Sequence, residues 1–184
     1  EALNYLEELT NDDRPIAFDI EVVANETACI GFANNAYTGM SINFRDQRTN
    51  RYTLQQERIL RDLIQTFFLC PNNKFIAQNG SFDCGWLWYK DRIYVPPLWF
   101  DTLLAHHTLY PRLPHNLGYL TAQYTDHPYY KDDGKLWKEG GDINEFWHYN
   151  VKDCCITWMA ADKLLKELKA ALMVAEENVC SCNL

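Results

Sequence analysis

Pro15-Ile16-Ala17-Phe18-Asp19-Ile20-Glu21-Val22 sets two acids one residue apart inside an apolar run. Side chains alternate faces along an extended chain, so Ile16, Phe18 and Ile20 share one face while Asp19 and Glu21 project together from the other. Two carboxylates pointing the same way repel, and a largely buried carboxylate is costly unless it is paired or ligates a metal. A hard divalent cation held by oxygen ligands would resolve that conflict. Taken alone, the pair is more simply an edge strand with a wet face. The choice between the two turns on whether other acids converge on it.

The chain around this stretch has 184 residues, enough for one domain with a substantial core. At 47% hydrophobic and 23% charged it has the composition of a soluble globular protein. No apolar run approaches the roughly 20 residues of a membrane span and no signal peptide opens the chain, so no membrane partner is expected. The first residue is Glu1 rather than Met, which suggests a processed or excised piece. Seven cysteines, at 29, 70, 84, 154, 155, 180 and 182, form no even disulfide framework. They point to a reducing, intracellular compartment, cytoplasmic if the source is bacterial or phage. Cys180-Ser-Cys182 lacks a second ligand pair at zinc spacing.

A formal net charge of -8 argues against gripping nucleic acid by bulk electrostatics. The charge is unevenly spread, however. Glu1 to Glu26 holds eight acids against Arg14, whereas Arg45 to Arg61 holds five arginines against Asp46 and Glu57. Those arginines are either a solvated turn and helix face or a phosphate-binding patch.

In chain order, Leu3, Leu6 and Leu9 predict a short lead-in helix ended by Asn11-Asp12-Asp13 and Pro15. Strands over 15–23, 27–33 and 37–44, the first two joined by a tight turn at Ala24-Asn25-Glu26, predict an antiparallel meander. A basic linker over 45–52 leads to a helix that opens at Thr53 with Gln56 closing a capping box. Leu54, Ile59, Leu60, Leu63, Ile64, Phe67 and Phe68 make its apolar stripe, and Cys70-Pro71 ends it. A short strand at 74–78, a helix from Asn79-Gly80-Ser81 to about Lys90, a brief strand at 98–101 and a helix over 102–110 follow. Strands first, then strands alternating with helices, predict a mixed sheet flanked by helices.

Residues 111–142 are irregular apart from a short helix near Asn116 to Tyr124. Tyr129, Tyr130 and Trp137 interleave with Lys131, Lys135 and Lys138, one way to hold a single strand by stacking. Asp132, Asp133 and Glu139 offset those lysines, so a plain surface loop is the other reading. A long final helix runs from about Ile143 to Val174.

Two more acids bear on the first pair. Asp83 lies in Asn79-Gly80-Ser81-Phe82-Asp83, early in a helix after a strand, where an acid also suits the helix dipole. Asn79 can cap that helix while facing the same cleft. Asp153 follows Tyr149 by four residues, so the two share a helix face unless Tyr149 is merely a half-buried aromatic. The ordered set DxE, NxxFD and YxxxD resembles the DEDD superfamily of 3'-5' exonucleases, tyrosine subtype. The match covers residues 15 to about 165. Phe100-Asp101-Thr102-Leu103-Leu104-Ala105-His106-His107 and Leu113-Pro114-His115-Asn116-Leu117 are similar to the proofreading domain of phage-like family-A DNA polymerases.

The resemblance implies an α/β, ribonuclease H-like fold: a mixed five-stranded sheet of meander plus parallel strands, flanked by helices. It implies a lead-in helix over 1–14, a 3'-5' exonuclease domain over 15–175 and a tail over 176–184 leading toward a missing domain. It implies two divalent ions, Mg²⁺ or Mn²⁺, held by Asp19, Glu21, Asp83 and Asp153, with Tyr149 orienting water. Val22, Asn79 and Phe82 would line the pocket for the terminal nucleotide. The expected substrate is the single-stranded or frayed 3' end of DNA, beside a polymerase domain or subunit. An RNA-trimming exoribonuclease and a nuclease-fold binding or scaffolding module are the alternatives.

Overall fold

A computed structural model of the chain describes residues 1–46, 49–128, 130 and 142–181, and the side chains of these except 46 and 176–181. The acidic run becomes strand β1 (Ile16–Val23), and its alternation sorts the molecule into two cores. Ile16, Phe18 and Ile20 enter one core with Phe32, Phe67, Phe68 and Phe75. On the opposite face Ala17 packs with Ala33, Ile76, Cys154 and Cys155.

β1 pairs antiparallel with β2 (Glu26–Ala33), and β2 with β3 (Met40–Asn43), which is the predicted meander. Ala24 and Asn25 both take positive φ, 50° and 64°, so the hairpin turns tightly with the strand twist. Glu21 pairs with Cys29 but Val22 with Thr27, a bulge directly beside the second acid. Bulges bend a strand and re-aim its side chains. In the basic linker, β4 (Arg45–Asp46) and β5 (Thr49–Asn50) form a small separate ribbon.

Helix α2 (Leu54–Phe68) follows α1 (Ala2–Thr10) in chain order and carries the expected capping box between Thr53 and Gln56. Its buried stripe is narrower than predicted. Ile64, Phe67 and Phe68 are buried, whereas Leu54 and Ile59 are 83% and 62% exposed. Ile59 lies roughly 140° around the helix from Ile64, so it faces away from the sheet. The Phe68 ring meets Phe75 at 4.8 Å and Phe18 edge-on at 5.2 Å, clamping α2 to the strands.

Two parallel strands complete the sheet. β6 (Phe75–Ala77) lies beside β1 and β7 (Phe100–Asp101) beside β6, giving the order β3-β2-β1-β6-β7. Between them, α3 (Gly80–Trp86) is shorter than the helix expected to about Lys90, because Leu87–Asp91 widens into a π turn. The far face is covered by α6 (Ile143–Ser181), against which α4 (Thr102–Leu109) and α5 (Leu117–Tyr124) pack. The helix α6 passes the expected end at 174 unbroken. Among the described residues no helix is long and apolar enough to cross a membrane.

Much of the predicted arginine patch is engaged within the chain. Arg45 pairs with Glu26, Arg61 with Glu57 and Asp91, and Arg51 lies over the Trp147 ring at 4.6 Å. Arg48 lies outside the described residues. Of the aromatic loop only Tyr130 and the approach to residue 128 are described, and Tyr129, Trp137 and the three lysines are not.

Small residues let α6 approach the sheet. A Cβ on Gly31 of β2 would stand 2.5 Å from Asn150 Oδ1 and 2.7 Å from Cys154 Sγ, closer than real contacts allow. Gly31→Ala is therefore expected to lower the unfolding free energy by about 1–3 kcal/mol through overpacking. Urea denaturation checks this, and a wild-type midpoint would show that α6 shifts without cost.

Candidate active site

Strand β1 and helix α6 bring Asp19, Glu21 and Asp153 together, with one carboxylate oxygen of each inside a 4.8 Å group. β1 supplies its two acids because the alternation turns both toward α6. Asp153 comes from the buried side of α6 and is 4% exposed. Tyr149, one turn earlier, joins them. Burial holds its phenol well above the ordinary tyrosine range, reinforced by the charges of Asp153, Glu21 and Asp19. The hydroxyl therefore stays protonated at neutral pH and acts as a hydrogen-bond donor.

Asp83 stands outside that trio. It lies in the first turn of α3, buried, and its Oδ1 accepts the Ile20 amide at 3.1 Å. Ile20 separates the two acids of β1, so the fourth carboxylate is tied to the backbone between them. Burial pushes the Asp83 carboxyl up from 3.8 to about 6, and the charge of Asp101 adds to the rise while the Ile20 bond opposes it.

The predicted cap of α3 is not made by Asn79. That residue takes a left-handed φ of 57° and its side chain makes no cap bond. Asp101 replaces it, accepting the amides of Asn79 at 3.2 Å and Gly80 at 2.8 Å. The same carboxylate accepts Leu103 N at 2.8 Å, capping α4 as well. One acid at the end of β7 thus starts two helices. Asn79 is exposed just before α3, and Phe82, in its first turn, is 54% exposed. Val22, just past the bulge, rests its side chain on the aromatic core.

Three site residues were missed in the sequence. Asn150 is fully buried and donates Nδ2 to Asp19 Oδ2 at 3.0 Å and to Asp19 O at 3.2 Å. Ser41 Oγ donates to Asn150 Oδ1 at 2.9 Å, which orients the amide. Tyr130, read as a stacking candidate on a surface loop, is instead buried and donates its hydroxyl to Asp153 Oδ1 at 2.5 Å. Burial first, then the Asp153 charge, raises its phenol so that it keeps the proton it donates. Asn150 had a usable signal, since it stands three residues before Asp153 on one helix face. Tyr130 had none at short range.

The donor set fits a hard divalent cation. It is all carboxylate oxygen, and like charges this close are costly without a counter-charge. By sequence alone no curated protein matches the chain. The family model for 3'-5' exonuclease domains matches residues 1–169. The chain belongs to the 3'-5' exonuclease family.

Solved structures with the same architecture as this exonuclease span several settings. The POL domain of Pol1 from M. smegmatis, in complex with DNA primer-template and dNTP, is 15% identical with a TM-score of 0.65, over 91% of this chain and 26% of that one. NrnC from Brucella melitensis with bound Mg²⁺ is 14% identical, TM-score 0.66, over 94% and 82%. Escherichia coli RNase D, an exoribonuclease involved in structured RNA processing, is 15% identical, TM-score 0.59, over 96% and 43%. The predicted ribonuclease H-like fold and DEDD resemblance are borne out. The exonuclease spans about a quarter of the Pol1 chain and under half of RNase D.

Two outcomes follow from these contacts. With its folded carboxyl raised to about 6, Asp83 holds a proton in the native chain that the unfolded chain has already released above 3.8. Stability of the metal-free protein is therefore lost as pH rises from about 4 to about 6, and the cost is fully present above that. Asp83→Asn keeps an acceptor for Ile20 and removes the charge. In chelator at pH 7 it is expected to add about 1–3 kcal/mol to the unfolding free energy and to flatten the decline. Urea denaturation across pH 4 to 8 reads both, and an unchanged profile would refute the burial account. Tyr130→Phe is expected to weaken Mn²⁺ binding by about 10- to 100-fold, measured by calorimetry, because a partner that orients a ligand carboxylate is lost.

Proposed function

We propose that this exonuclease shortens single-stranded or frayed DNA from its 3' end, releasing nucleoside monophosphates, as the proofreading domain or subunit of a DNA polymerase. The observation that carries the reading is the convergence of Asp19, Glu21 and Asp153 with the protonated Tyr149 hydroxyl. The family description and the likeness to a DNA-bound Pol1 chain support it.

In this reading Asp19, Glu21 and Asp153 hold divalent ions, Mg²⁺ or Mn²⁺, and Asp83, held on the Ile20 amide between the two acids of β1, acts on the second ion through its water shell. When bound, two such ions neutralise charge at the phosphodiester and lower the pKa of water. Asn150 and Tyr130 keep Asp19 and Asp153 turned toward the ions. Tyr149 donates its hydroxyl to the attacking water and sets its line of approach. A phenol is a poor base at neutral pH and burial raises this one further, so positioning by hydrogen bond is the role it fits. Phe82 and Asn79, with the Val22 backbone, receive the terminal nucleotide. Unpaired ends are preferred, since each base-pair step melted before entry costs about 1.4 kcal/mol.

The second reading, an exoribonuclease, is favoured by the likeness to RNase D. A 5'-labelled oligomer, incubated with Mg²⁺ or with chelator and made in matched DNA and RNA forms, separates the two. The expected result is Mg²⁺-dependent shortening of the DNA from its 3' end, and faster removal of ribonucleotides would overturn the DNA assignment. Asp19→Ala and Asp153→Ala are expected to lower the rate by at least about 10²-fold, the scale of losing preorganised charge stabilisation. Tyr149→Phe should cost only about 5- to 10-fold, the worth of one hydrogen bond. Near-normal rates in either alanine variant would sink the metal-dependent mechanism.

A further inference from the structure

The outer face of α3 and its π turn carries aromatic rings, of which Phe82 and Tyr89 are exposed while Trp86 rests partly buried against the aromatic core. Phe82 and Trp86, four residues apart, stack with ring centroids 5.9 Å apart and planes 29° from parallel. Lys90, a further four residues on, places Nζ 5.5 Å from the Trp86 ring and 5.7 Å from the Tyr89 ring. Tyr89 is 68% exposed. The row is aligned rather than loose, because Trp86 Nε1 donates to Thr27 Oγ1 at 3.0 Å and so pins the indole edge to β2.

Charge on this face is sorted in the same sense. Asp91, the acid among Lys90, Asp91 and Arg92, is turned inward: it accepts the Thr27 hydroxyl at 2.5 Å, pairs with Arg61, and its side chain is 5% exposed. Lys90 and Arg92 remain exposed. A surface that offers ring faces and cations while hiding its carboxylate suits stacked bases with a phosphate backbone alongside. Its position suits the same ligand. The row begins at Phe82, one residue from Asp83, and spans roughly 12 Å at 1.5 Å per residue.

We propose that Phe82, Trp86, Tyr89 and Lys90 form a stacking ledge for the bases of a single nucleic-acid strand just upstream of the end being cleaved. The ledge deepens the nuclease reading and rests on it for direction, with the 3' end at Phe82 and the strand leaving past Lys90. Stacking is tolerant of base identity, so the ledge grips by length rather than sequence.

The test is fluorescence anisotropy of a labelled 12-nucleotide oligothymidylate in chelator, where no cleavage occurs. Wild-type affinity is expected to rise with length from two to eight nucleotides. Tyr89→Ser and Lys90→Glu, both at exposed positions, are each expected to weaken binding of the 12-mer at least about fivefold, the low end of one lost base stack. Lys90→Glu should also flatten the dependence on salt by about one phosphate contact. Thermal unfolding confirms that both variants are folded, which a Trp86 variant lacking its Thr27 bond would not guarantee. Binding within twofold of wild type in both variants, or no binding by wild type, overturns the ledge and leaves this face to a protein partner. A wild-type chain that binds with this length dependence yet leaves the oligomer uncut in Mg²⁺ instead overturns the nuclease reading alone.

Discussion

Three carboxylates confined to a 4.8 Å group repel one another, and the rest of the structure serves to hold them there. The repulsion is opposed locally by donors rather than relieved by distance. Asn150 donates to Asp19, Tyr130 to Asp153, and the Ile20 amide to Asp83, each from a different part of the chain. These bonds orient the oxygens but leave net negative charge in place. A cation is what such a site is preorganised to receive.

That arrangement depends on packing at a distance from the acids. β1 and α6 contribute different members of the trio, so their separation sets whether the oxygens meet. The seam between them is built from Gly31, Ala17, Ala33, Cys154 and Ala161, residues small enough for the helix to lie close on the sheet. Behind β1 the phenylalanine cluster supplies the opposite restraint and keeps the strand from yielding toward α2. Stability on one face and chemistry on the other thus share a single strand. The bulge lies directly after Glu21, and Val22 beyond it still packs on the aromatic core.

Much of this was legible because it is written in local periodicity. Alternation placed Asp19 and Glu21 on one face, a spacing of four put Tyr149 over Asp153, and Thr53 with Gln56 announced the start of α2. The errors have a common origin. Leu54 and Ile59 look like part of an apolar stripe, yet whether a helical face is buried depends on where the sheet lies. Asn79 is a good capping residue, but its left-handed backbone turned it outward and Asp101, 22 residues later, took the role. Tyr130 sits among aromatics and lysines that read as a surface loop, and its hydroxyl reaches a carboxylate 23 residues away.

By itself the sequence determined the alternating strand and the helices, which follow from residue type and short spacing, whereas the kind of chemistry and the four candidate acids came from its resemblance to a known family. Only the tertiary structure decided that Asp19, Glu21 and Asp153 form the tight group while Asp83 is bound to the Ile20 amide between the two acids of β1. It also decided which neutral side chains orient those acids. The reason is physical: a hydrogen bond between distant segments depends on how the elements pack, and no periodicity along the chain encodes that distance.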